Sequence, residues 1–194
     1  MASARLAPHQ KGARRSGRAI AFLDETGSTF RSRLGTTWAP IGVFPILERL
    51  SKRREVSSIV AVTAPLDGAP SKVVARHFIG SIHEDEVIEA LKYFRRRLGV
   101  PLILVWDRLA AHRSSKVRRF VEEHSEDFQI EWLPAYAPDL NPEEVCNSMV
   151  KADMLNATPN DVQELRRMAR RSFRRLQHRT DELRSSFEHA GLHL

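Results

Sequence analysis

Residues 101–106, PLILVW, form the most apolar run in the chain. A stretch this short, without polar alternation, reads as a strand buried on both faces. It ends at Asp107. A second apolar run, residues 19–23 (AIAFL), stops in the same way at Asp24-Glu25-Thr26-Gly27. This predicts a buried strand closed by a polar turn, with Asp24 at its carboxyl end. If these two strands are neighbours in a mixed sheet, their aspartates come side by side at one edge of the core.

The remaining runs supply the frame. Residues 30–45, with Gly35, Trp38, Pro40 and Gly42, read as a second, more exposed strand with turns. Residues 56–63 (VSSIVAVT) and 72–79 (KVVARHFI), the latter after Asp67-Gly68, are strand-like. The first four runs therefore suggest an antiparallel meander. Residues 83–98 then open on Glu84, Asp85 and Glu86, space Val87, Ile88, Leu91, Phe94 and Leu98 along one face, and close on Arg95 to Arg97 before Gly99. That pattern predicts an amphipathic helix. A shorter helix at 114–123 and a strand at 129–133 follow.

Residues 133–150, LPAYAPDLNPEEVCNSMV, combine stiffness with acidity. Pro134, Pro138 and Pro142 fix their own φ and bias the preceding residues towards extended geometry, so a preorganised loop is expected. It turns into a helix with Asn141 as N-cap, Pro142 at the first helical position, and Glu143 and Glu144 near the positive end of the dipole. Glu144 either closes a capping box or holds a carboxylate at a rigid corner for chemistry.

Composition limits the partners. The 194 residues are 42% hydrophobic, enough for one sizeable core. Lysine and arginine outnumber aspartate and glutamate by 31 to 24, giving a net charge of +7 and a pI near 10.2, which favours a polyanionic partner. The single cysteine, Cys146, excludes an internal disulfide and a zinc–cysteine cluster, and suits a reducing compartment. No run approaches a membrane span and no secretory signal is visible, so a cytoplasmic, nucleoid-associated protein is expected. Residues 1–18 read as a disordered basic arm, 19–158 as the main domain, and 159–194 as a basic amphipathic helix packed on or beside it. On that last segment Arg166, Arg170 and Arg174 form a row that either contacts DNA phosphates or is a solvated face.

Asp24 and Asp107 are each either a strand-end turn residue or helix cap or, together with Glu144, part of an oxygen-rich site. Clustered carboxylates repel one another unless a cation intervenes, and Mg²⁺ or Mn²⁺ suits such donors. Two ions about 3.5 to 4 Å apart would activate a water or 3′-hydroxyl and stabilise the leaving oxygen in an attack on a phosphodiester.

The run LILVWDRLAAHRS at 102–114, the block LPAYAPDLNPEE at 133–144, and FLDETG at 22–27 with Trp38-Ala39-Pro40 and Gly42 beyond it resemble the catalytic core of the IS630/Tc1/mariner superfamily of DDE transposases. The similarity covers about residues 19–155. It implies an α/β, RNase H-like fold, a five-stranded mixed sheet flanked by helices. It also implies that Asp24, Asp107 and Glu144 are the catalytic metal ligands, Glu144 occupying the acidic place of the family's N-P-x-E. His112 falls at the histidine of D-x-x-x-x-H, to orient an aspartate, contact DNA or start a helix. Glu25 is a candidate for the surroundings of the metal ligands, Asn141 a cap, and Tyr136 and Asp139 braces for the loop.

Departures from the family pattern include Arg108, a cation able to compete with metal for Asp107, Ala137 in place of Ser, and Asn147 in place of Trp. Family members also carry helix-turn-helix modules ahead of the core, for which residues 1–18 are too few. The resemblance thus implies DNA cleavage and strand transfer at transposon ends into target DNA, by a dimer on DNA, with a separate helix-turn-helix subunit from an upstream reading frame. A nuclease without strand transfer and an inactive DNA-binding remnant are the alternatives.

Overall fold

The structure, a computed structural model, describes residues 16–31, 34–48, 55–64, 70–134 and 138–192. Strands β1 (Ala19–Thr29), β2 (Glu55–Thr63), β3 (Val73–Ile79), β4 (Leu102–Trp106) and β5 (Phe128–Trp132) form one sheet in the order β3-β2-β1-β4-β5. The β1–β2 and β2–β3 pairs are antiparallel, whereas β4 runs parallel to both β1 and β5. The two apolar runs that end in aspartate are therefore neighbours. All five residues of β4 are buried.

Helices cover both faces. Alternation along the strands sends Ile20, Phe22, Val60, Val62, Ile103 and Val105 to one side, against α3 (Pro142–Asp153), α4 (Val162–Leu176) and α5 (Thr180–His189). It sends Leu23, Ile59, Leu102, Leu104 and Trp106 to the other, against α1 (Glu84–Leu98) and α2 (Ser115–Glu123). The acidic first turn and basic last turn of α1 complement its dipole, and Gly99 stops it at φ 77°, a left-handed conformation that a Cβ would resist.

Three expectations change. Strand β1 does not stop at Asp24 but continues to Thr29, because residues Asp24 to Thr29 pair with Val60 back to Glu55 after β1 and β4 have diverged. Asp24 is thus mid-strand. Residues 34–48 form no strand. Their one turn, at Pro40–Val43, uses Gly42 at φ 82°, and Val43 N donates to the Pro40 carbonyl at 3.0 Å. Pro40 and Pro45 remove ladder donors here, and Trp38, Ile41, Phe44 and Ile46 stand in solvent. Finally, the basic C-terminal segment is two helices. One helix over about thirty residues would extend roughly 45 Å, past the sheet edge. The break instead lets Leu165, Phe173, Leu183 and Phe187 all enter the same core. The Tyr136 and Ala137 readings, and most of the basic arm, lie outside the described residues.

Among the described residues, a side-chain clamp ties residues 34–48 down at Gly35. Asn156, at φ 58°, accepts from Gly35 N at 3.0 Å and donates to Gly35 O at 3.1 Å. The Asn156→Ala variant removes both bonds, a loss of about 1–2 kcal/mol of local stability. Cleavage within residues 34–48 by limited proteolysis should become severalfold faster while global melting hardly moves.

Candidate active site

The site starts from the parallel register of β1 and β4, which pairs Phe22 with Val105. Asp24 and Asp107 each follow that last pair by two residues, near enough for their charges to interact. Helix α3 supplies the third side. Asn141 caps it, its side chain accepting from Glu143 N at 3.2 Å, so Glu143 and Glu144 leave the helix start beside the sheet. The two glutamates differ sharply. Glu144 is exposed, whereas Glu143 is completely buried.

The charges interact. Burial above all, with the Glu144 and Asp107 carboxylates nearby, raises Asp24 to about 6, even though Glu25 N donates to Asp24 Oδ1 at 2.7 Å. Burial and the facing Asp24 carboxylate push Glu143 well above the usual range. Glu143 is thereby held towards its protonated form, with its Oε1 lacking a hydrogen-bond partner among the described residues. Its other oxygen, Oε2, accepts from Asn147 Nδ2 at 2.6 Å. Residue 147 is thus buried against Glu143, the two forming an i,i+4 pair.

Asp107 has its own partners. Its Oδ1 meets His112 Nδ1 at 2.9 Å and accepts from Leu109 N at 3.1 Å. The other ring nitrogen, Nε2, lies 3.1 Å from Glu25 Oε1. Burial alone would lower the imidazole, but the hydrogen bonds to Asp107 and Glu25 overrule it and raise it to about 9. His112 is therefore a buried cation between two carboxylates, and its ring stacks on Trp106 at 4.4 Å with planes 5° apart. Burial raises Asp107 as well, yet the His112 bond and the Leu109 N–H together take it below its ordinary range. Arg108 is exposed and makes no ion pair with Asp107 among the described residues; the cation on Asp107 is His112.

Asp107 and Glu144 thus each lie within electrostatic range of Asp24, with Glu25 and His112 bonded in line with Asp107 and Asn141 as the cap. Sequence reasoning set Glu143 aside. Its only sequence signal was the i,i+4 spacing to Asn147. As a donor set, these carboxylates suit Mg²⁺ or Mn²⁺, and the single His112 bond leaves Asp107 Oδ2 for a metal. Among the described residues, no three His, Cys, Asp or Glu side chains are gathered closely enough to hold an ion as they stand. No helix among the described residues is long and apolar enough to cross a membrane.

The fold has known counterparts. The mariner Mos1 transposase paired-end complex with Mg superposes with a TM-score of 0.60 at 16% identity, covering 98% of this chain and 59% of that one. The Mos1 paired-end complex with the left transposon end gives 0.58 at 13%, covering 95% and 61%. The present chain therefore spans about three fifths of those Mos1 chains. The Mos1 catalytic domain with Raltegravir and Mg gives 0.53 at 12%, with 100% and 94% covered. The sheet and its flanking helices are thus RNase H-like. No curated protein matches the chain in sequence. A family model described as DDE superfamily endonuclease matches residues 19–166, the span that contains Asp24, Asp107 and Glu144, and the chain belongs to that family.

Proposed function

We propose that this chain is a DNA transposase catalytic domain that cleaves phosphodiester bonds at transposon ends and joins the freed 3′-hydroxyl to target DNA. What carries the reading is one observation: Asp107 and Glu144, far from Asp24 in sequence, both come within electrostatic range of it in the fold. The solved Mos1 complexes with transposon-end DNA, Mg and Mn support it.

Mg²⁺ or Mn²⁺, in a pair, would be held by Asp24, Asp107 and Glu144. Such ions supply Lewis acidity and a more acidic attacking water or hydroxyl. Rotation of exposed Glu144 and half-exposed Asp107 would bring their oxygens towards Asp24. His112 fixes the Asp107 carboxylate, while Glu143, held by Asn147, braces Asp24. In this reading the enzyme acts as a dimer on paired ends in the nucleoid, with end recognition supplied by a helix-turn-helix subunit.

The test is nicking of supercoiled plasmid with Mn²⁺ and with EDTA. Nicks that require the metal, accompanied by a higher melting temperature in Mn²⁺ as repulsion is relieved, are expected. Strand-transfer products from a precleaved end separate a transposase from a nuclease. No nicking and no thermal shift with Mn²⁺, even with the helix-turn-helix subunit added, would leave the inactive remnant.

A further inference from the structure

Strand β3 is an edge of the sheet, and α4 lies over it. Between them opens a groove of about 760 Å³. Its lining includes Lys72 ahead of β3, Arg97 from the last turn of α1, and Arg166, Arg167, Arg170 and Arg174 from α4, with no carboxylate. None of these six makes an ion pair among the described residues, whereas neighbouring Arg76 is engaged by Glu89. Cations from three separate elements thus converge on one concave surface. A merely solvated helix face would not recruit Lys72 and Arg97. Arg166 and Arg170 also come close enough to His77 beneath them to add to the effect of burial, which lowers that imidazole to about 4.

Position and edge chemistry narrow the ligand. Asp24 pairs with Val60, and Val60 with Ala75 in the groove wall. At Ala75 the groove wall is therefore two strand spacings, roughly 10 Å, from Asp24. Duplex DNA carries a charge about every 1.7 Å of its axis, so a duplex with one phosphodiester at the carboxylates has further phosphates within reach of the groove. An added peptide strand fits less well, because Gln177 already accepts from Val73 N at 2.8 Å and donates to Ser71 O at 3.4 Å at this end of β3.

We propose that this groove binds the phosphodiester backbone of duplex DNA beside the scissile bond, without reading its sequence; the proposal rests on DNA being the substrate. The experiment is a salt titration of binding to an arbitrary duplex of about 30 base pairs in EDTA. Arg166→Gln/Arg170→Gln, and independently Lys72→Gln/Arg97→Gln, should each flatten the plot of log affinity against log salt by about 2. Their affinity deficit should shrink roughly tenfold between about 50 and 200 mM NaCl. The same slope change from two pairs on different elements excludes a folding defect in either. Arg118→Gln/Arg119→Gln on α2, across the sheet, should leave the slope unchanged. An unchanged slope in both groove pairs, an equal effect from the α2 pair, or loss of binding to polyglutamate but not to DNA would overturn the proposal. Plasmid nicking by the wild type with Mn²⁺, run alongside, reads the catalytic assignment separately, so a failed groove and a failed catalytic reading give different results.

Discussion

Asp24→Asn is expected to lose metal-dependent nicking by on the order of a thousandfold, about 4 kcal/mol of transition-state stabilisation, and yet to melt at a higher temperature than the wild type. The two effects have one cause. In the folded chain Asp24 rises from 3.8 to about 6, mainly through burial and also through the Glu144 and Asp107 charges. A carboxyl raised on folding binds more protons in the native than in the unfolded chain, so stability falls as pH climbs from about 4 to 6 and stays lower above that. The full shift corresponds to about 3 kcal/mol, and partial solvent exposure reduces this to about 1–2 kcal/mol. The substituted amide removes the charge and offers an N–H to Glu143 Oε1, a buried oxygen without a hydrogen-bond donor. Calorimetry should show the variant ahead of wild type at pH 7.5 and the gap closing by pH 4. Asp107→Asn and Glu144→Gln should match the activity loss with smaller thermal effects. Retained nicking in any of the three would end the claim for that carboxylate, and a lower melting temperature for Asp24→Asn at neutral pH would refute the repulsion argument.

His112→Ala should do the reverse and destabilise the fold. His112 is 1% exposed and lies between Asp107 and Glu25, its imidazole raised from 6.5 to about 9. A base raised on folding contributes stability that is fully present below about 6.5 and is lost as pH rises through about 9. The shift alone corresponds to about 3 kcal/mol, reduced to about 2 kcal/mol because both carboxylate partners are partly exposed. Loss of the Trp106 stack adds about 1 kcal/mol. Urea denaturation should therefore give a deficit of roughly 3 kcal/mol at pH 6 that narrows to the stacking loss by pH 10. Nicking should fall about 10- to 100-fold, as expected for a residue that positions a metal ligand. His112→Gln, which can still donate one hydrogen bond to Asp107, should recover part of the activity but not the pH dependence. A deficit that stays constant with pH would show that the imidazole carries no charge there.

Much of this geometry was legible in the chain. Uninterrupted apolar character marked residues 102–106 as doubly buried, and the prolines and cap of residues 138–142 located the start of α3 to the residue. What escaped depended on partners distant in sequence. Asp24 looked like a strand end because polar residues follow it, but a strand can continue when its partner does, and Thr26 and Ser28 are buried against β2. Glu143 resembled an ordinary first-turn acid, since nothing local tells which of two adjacent glutamates turns inward. Residues 30–45 carried strand-like composition without a strand to pair with. The arginine row on α4 was plain; its meeting with Lys72 and Arg97 was not, because that depends on which strand forms the edge.

The parallel pairing of β1 with β4 also governs how the molecule is made. Residues Ala19 to Phe22 cannot meet Leu102 to Val105 until the intervening meander and α1 have been gathered in. A contact with that sequence separation is entropically late and slow to form. During most of the folding reaction Asp24 and Asp107 therefore remain apart in water, and their mutual repulsion is deferred to the final closure. Charge-neutralising substitutions here should act mainly on the rate of unfolding and leave the early steps of folding almost untouched.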